Sequence, residues 1–159
     1  MKLVYVAGPY RATTIWGVEQ NIQRAQHVGA QVLRVPGLYP VIPHMNTRHM
    51  EGIVGDEHVL AGTLEMLRRC DAVILVGDWE RSTGTRGEVD EALRLGLPVL
   101  YAWGDESYSA DILRSLAAGA VQALTPGTYS PYDGRYWLGS AERVADMLRF
   151  MPNKRAVSP

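Results

Sequence analysis

The sequence predicts an α/β domain: a five-stranded, mostly parallel sheet with helices on both faces. Three observations predict it. Short apolar runs bounded by Gly and Pro have the pattern of strands buried on both faces. Stretches with three- and four-residue apolar spacing separate those runs. The stretch from Cys70 to Val99 holds a complete strand, loop, helix, strand unit, the building block of parallel sheets.

Lys2 to Ala7 (KLVYVA) is the first strand, closed by Gly8-Pro9. Residues 14–34 carry a helix on Ile15, Val18, Ile22, Ala25, Val28 and Val32, and Pro36-Gly37 stops it. Leu38 to Pro43 (LYPVIP) is a second strand, and its prolines put it near a sheet edge or terminus. His44 to Gly62 is irregular. A helix beginning near His58 runs to Arg69 and feeds the strand Ala72 to Val76. Asp78 to Gly84 reads as a loop of turn formers and polar side chains. Helical spacing resumes at about Arg86, with Val89, Ala92, Leu93 and Leu95 on one side and Gly96 as the stop. Pro98 to Trp103 is the next strand. Ser109 caps a helix over residues 109–119, ended by Gly119, and Ala120 to Leu124 is the fifth strand. Thr125 to Gly139 has no periodicity and reads as a segment ordered by aromatic packing or by a neighbouring subunit. Ser140 caps a last helix, and 151–159 is a flexible tail. With no internal repeat and no linker, residues 1–150 are expected to form one domain.

At 159 residues such a domain buries about 70% of its unfolded surface, enough for an ordinary core. A net charge of −1 without a basic block argues against nucleic acid and for a small-molecule or protein partner. The single cysteine, Cys70, excludes an internal disulfide framework and reads as a small buried hydrophobe. No leader and no membrane-length apolar run are visible, so a cytoplasmic protein with no membrane partner is expected. His44, His49 and His58 with Glu51, Asp56 and Glu57 match no metal-ligand spacing, so no metal is expected there.

Ligands of a strand–helix–strand unit lie at the carboxyl ends of the strands, beside the following helix N-terminus. The loop and first helical turn here hold Ser82, Thr83, Gly84, Thr85, Arg86 and Glu88. Hydroxyls, backbone N–H groups and a guanidinium suit a phosphate. Gly8 lets a ligand approach the backbone, Pro9 turns the chain outward, and His44 follows a strand directly and is expected to face the crevice. Arg11 reads equally as an anion ligand and as a solvated loop arginine. There is no GxGxxG after the first strand, no Walker lysine and no nucleophile elbow. What remains is one carboxylate, Glu88, flanked by small residues. A carboxylate there can attack or stabilise an oxocarbenium-like centre, the logic of glycosidic cleavage. The helix macrodipole alone also favours an acid on a first turn.

Three segments carry a resemblance: YVAGPYR at 5–11, CDAVILV at 70–76 and DWERSTGTRGEVDEA at 78–92. In them the chain resembles the nucleoside 2-deoxyribosyltransferase-like superfamily. That group includes the deoxyribosyltransferases, the nucleoside 5′-monophosphate N-glycosidases and uncharacterised, often phage-encoded relatives. The resemblance implies a flavodoxin-like three-layer sandwich and a reaction without cofactor. It implies Glu88 as the nucleophile and Tyr5 as the residue that orients it. A serine six residues before the glutamate, Ser82 here, and an arginine matching Arg11 are similar to the monophosphate glycosidases, where they hold the 5′-phosphate. Asp78, Trp79, Gly84, Thr85 and Arg86 complete the substrate-binding set together with Gly8, Pro9 and His44. Thr63 stands where the family carries an aspartate that contacts the sugar and assists proton transfer. Threonine is no acid or base near neutral pH, so that role falls to Asp56, Glu57 or His44, or the reaction is slow, altered or absent. The family also implies a homodimer or larger homo-oligomer, with a neighbour completing the pocket.

Two functions follow. One is cleavage or transfer at the N-glycosidic bond of a (deoxy)nucleoside or its 5′-monophosphate. The other is a nucleotide-binding protein without turnover, a sensor or sequestering protein, which Thr63 favours.

Overall fold

The computed structural model describes residues 1–102, 108, 110–119 and 136–139. Four strands, β1 (Lys2–Ala7), β2 (Leu38–Val41), β3 (Ala72–Leu75) and β4 (Val99–Ala102), pair in parallel. A fifth, β5 (Tyr136–Gly139), pairs antiparallel with β4. The order β2-β1-β3-β4-β5 is the flavodoxin-like one, the fold that the resemblance implies. The fifth strand is a correction: it lies in the stretch read as aperiodic. Residues 120–124, the expected fifth strand, fall outside the described residues, as do Ser109, Ser140 and the tail.

Alternation along the strands builds a core on each face. Val4, Val6, Ala72, Ile74 and Leu100 face α1 (Ile15–Leu33) and α5 (Ala110–Ala117), meeting Ala25, Val28, Val32, Leu113 and Leu116. Tyr5, Ala7, Val73, Leu75 and Val99 face the other way, onto Leu67 of α3 (Asp56–Leu67) and Val89 and Ala92 of α4 (Thr83–Arg94). Each fully buried Val, Ile or Leu contributes about 1.5–3 kcal/mol. β2 forms the sheet edge, where Pro40 costs no ladder bond. Cys70 packs in the second core, its thiol bonded to the Met66 carbonyl and pushed up to about 11 by burial, so it is inert.

Several boundaries differ from the sequence reading: the second strand, expected over 38–43, ends at Val41. The irregular region contains a one-turn helix, α2 (Pro43–Asn46), with proline at its start, and α3 begins at Asp56. α4 begins at Thr83, with Ser82 as N-cap accepting from the Thr85 N–H. The preceding "loop" is in part a single 3₁₀ turn, Trp79–Arg81. No helix among the described residues is long and apolar enough to cross a membrane.

β1 and β3 run side by side, Ala7 opposite Leu75, so the chain leaves both at one edge of the sheet. Gly8 is required there by packing. A Cβ on it would lie 2.9 Å from the Val76 carbonyl oxygen and 2.4 Å from Val76 Cγ2. What approaches Gly8 closely is therefore the neighbouring strand. Gly8→Ala is expected to destabilise the fold by about 1–3 kcal/mol, read as a lower urea midpoint.

Candidate active site

In this strand order β1 and β3 diverge to opposite sides, and the crevice outside their carboxyl ends is where such sheets bind ligands. A cavity of about 1540 Å³ opens there. Gly8, Pro9 and Arg11 line it from the end of β1, and Asp78 from the end of β3. Ser82, Gly84, Thr85 and Glu88 line it from α4, His44 from α2 and Thr63 from α3. The structure thus brings most of the sequence-derived set to one crevice. Three residues do not line it. Trp79 is fully buried in the second core, edge-on to Tyr101 with ring centroids 6.0 Å apart, because the 3₁₀ turn folds it inward. Arg86 projects from the exposed side of α4. Tyr5 is fully buried and acts through Glu88.

Glu88 is placed by helix geometry. The buried positions of α4 are Thr85, Glu88, Val89 and Ala92, one stripe facing the sheet. Val89 and Ala92 meet the core, whereas Glu88 lies where the sheet gives way to the cavity. It is 6% exposed, and the Tyr5 hydroxyl donates to its Oε1 at 2.6 Å. Burial pushes its pKa up to about 7, against the Tyr5 hydrogen bond, which favours the charged form. Tyr5, raised by burial and by the nearby Glu88 charge, stays a phenol and hence a donor. The macrodipole does not explain this acid. No acidic residue occupies the first turn of α4, and Glu88 sits a turn further in, where the dipole has faded. Its partner is a hydroxyl, and it makes no ion pair among the described residues.

Tyr5→Phe removes the contact that holds Glu88 partly ionised. The titration of Glu88, followed by NMR, is expected to show a profile displaced upward in this variant. A profile that stays in place would show that Tyr5 only fills space.

The N-terminal end of α4 presents hydrogen-bond donors to the cavity. Ser82 Oγ already accepts from the Thr85 N–H (3.2 Å) and from Thr85 Oγ1 (2.9 Å), which leaves its own hydrogen to donate elsewhere. The first amides of the helix, at Thr83 and Gly84, have no intrahelical acceptor. Thr63 donates its hydroxyl to the Leu60 carbonyl at 3.0 Å and lies next to Tyr5.

His44 is 4% exposed, and its Nε2 lies 3.2 Å and 3.3 Å from the Gly8 and Pro9 carbonyl oxygens. Both neighbours accept, so Nε2 carries the hydrogen and Nδ1 is a bare acceptor. That Nδ1 is buried with no partner. Burial holds the imidazole below its usual pKa, so the ring is neutral near pH 7.

Sequence reasoning missed Arg24 and Tyr10. Arg24, on α1, lines the cavity, and its Nη1 lies 2.9 Å from where a Cβ on Gly77 would stand; Gly77 also has φ +65°. Its position on a helix that spacing assigned wholly to packing hid it. Tyr10 donates to Glu51, which this bond holds below the usual carboxylate range. Arg11 is ion-paired with Asp56.

Among solved structures, the chain is similar to a 2-deoxyribosyltransferase from Bacillus psychrosaccharolyticus, at 23% identity over 61% of this chain and 69% of that one, with TM-score 0.45. It is similar to a 2-deoxyribosyltransferase from Leishmania mexicana, at 24% identity over 64% of each chain, with TM-score 0.47. A conserved protein from Enterococcus faecalis V583 shares the fold at 16% identity, TM-score 0.53, over 79% of this chain and 77% of that one. No curated protein matches the sequence. Residues 2–101, from the first strand through most of β4, match the family described as a domain of unknown function, DUF4406, and the chain belongs to that family.

Proposed function

We propose that this protein cleaves or transfers at the N-glycosidic bond of a (deoxy)nucleoside or its 5′-monophosphate, with Glu88 as nucleophile or oxocarbenium stabiliser. One observation carries the reading. A buried carboxylate, held by Tyr5 and in no ion pair with the described residues, opens on the same cavity as the hydroxyl-lined end of α4. With Tyr5 on Oε1, the other oxygen is left for the anomeric carbon. The bond from that carbon to the base nitrogen breaks as the carboxylate attacks or pairs with the developing cation. The base departs with the bonding electrons and takes up a proton from solvent water. Water or a second base then displaces the carboxylate. A pKa of about 7 keeps a substantial fraction of Glu88 ionised at neutral pH. The Ser82 hydroxyl and the α4 amides would hold a 5′-phosphate, which favours the monophosphate.

The test is a panel of nucleosides and 5′-monophosphates incubated with the protein and scored for free base. Release from at least one deoxynucleotide is expected. The second reading, binding without turnover, is favoured by Thr63, which has no titratable proton, and by Glu51 and Asp56 being engaged by Tyr10 and Arg11. It predicts retained ligand with no free base from any compound. We further propose that the active form is a homo-oligomer.

A further inference from the structure

The segment leading into α3 is held over the cavity by polar contacts. Arg11 is paired with Asp56, Tyr10 donates to Glu51, and Arg48 lies 2.5 Å from Glu19 of α1. Apolar anchorage is slight: within α3 only Leu67 is buried, and Met50, Ile53, Val54 and Leu60 are exposed. Asp56 and Arg11 both line the cavity. This inference rests on the reading above, in which the ligand carries an anion: Arg11 is a cation on the wall of the cavity that would receive it, and Asp56 is seated on that cation.

We propose that Asp56 is a built-in competitor for the anion of the ligand, a carboxylate that a phosphate must displace from Arg11. It thereby sets the affinity for phosphorylated ligands and leaves that for uncharged nucleosides unaffected. The exchange is easy in one direction. The Arg11 and Asp56 side chains are 72% and 63% exposed, and such a pair holds weakly. A phosphate brings more negative charge than the carboxylate and accepts two parallel guanidinium N–H bonds. An uncharged nucleoside brings nothing that displaces a carboxylate from a guanidinium.

The experiment measures dissociation constants by calorimetry for inorganic phosphate, a nucleoside 5′-monophosphate and the matching nucleoside. The proteins are the wild type, Asp56→Asn and Glu57→Gln. Glu57 carries the same charge one residue along and does not line the cavity. Asp56→Asn is expected to tighten phosphate and monophosphate about fivefold. Glu57→Gln should change them little, and nucleoside affinity should not move in either variant. Should Asp56→Asn fail to fold, Asp56→Ser, also compatible with a helix start, is expected to give the same gain. Unchanged or weaker phosphate binding in the Asp56 variants, an equal gain in Glu57→Gln, or no phosphate binding by any protein overturns the inference. None of these readouts needs turnover. Failure to release base, with the Asp56 gain intact, removes the proposed reaction and leaves the competitor standing.

Discussion

Glu88→Gln is expected to lower base release at least about 10³-fold and, at the same time, to free the fold from a pH-dependent loss of stability. The kinetic half follows from chemistry: glutamine keeps the shape and can accept from Tyr5, but it neither attacks nor carries charge. The thermodynamic half follows from linkage. Folding raises the carboxyl from the usual 4.5 to about 7, so the folded state binds this proton more tightly than the unfolded state. Its stabilising contribution is full below 4.5 and is lost as pH rises through about 7. The size is the shift from 4.5 to about 7, on the order of 3 kcal/mol. Urea unfolding of both proteins across that window should show the gap moving in the variant's favour by about that amount. A constant gap would mean that Glu88 titrates normally and is not desolvated. The proposed reaction needs the ionised form, whereas burial disfavours it.

Ser82→Asp should weaken binding of a nucleoside 5′-monophosphate about 100-fold, because a carboxylate within ~4 Å of a phosphate costs several kcal/mol even at a surface-like dielectric. The substitution is a clean probe. Aspartate caps helices as well as serine does, so α4 keeps its start and the Thr85 N–H keeps an acceptor. Loss confined to phosphorylated ligands, with the uncharged nucleoside still bound, is the expected pattern by calorimetry. Equal loss for both would place the phosphate elsewhere.

Much of the fold was legible because its signals are local. β1, β3 and β4 are apolar runs, and α1 repeats its apolar residues at helical spacing over its whole length. The start of α4 was misread by three residues since Thr83, Gly84 and Thr85 look like a loop, and the misreading mattered. It placed Glu88 on a first turn, where the dipole would explain it; the true start, capped by Ser82, puts it a turn deeper. Trp79 was read as a ligand contact for the same reason: a short 3₁₀ turn buries it, and no periodicity announces so short an element. β5, four residues with Tyr136 and Trp137, joins the sheet by pairing with β4 across more than thirty positions, which no window sees. The site divided along the same line. Motif residues around Glu88 were visible in sequence. Arg24 against Gly77, Tyr10 on Glu51 and Arg11 on Asp56 were not, since each pair is joined only by folding.

The central claim, that Glu88 reacts as a carboxylate at the anomeric carbon, is tested most directly by the pH dependence of kcat/KM for base release from a deoxynucleoside 5′-monophosphate. The account predicts a rate that climbs as pH rises through about 7, in step with Glu88 losing its proton, and that vanishes in Glu88→Gln. A rate that declines over the same interval, or that survives the substitution, contradicts it.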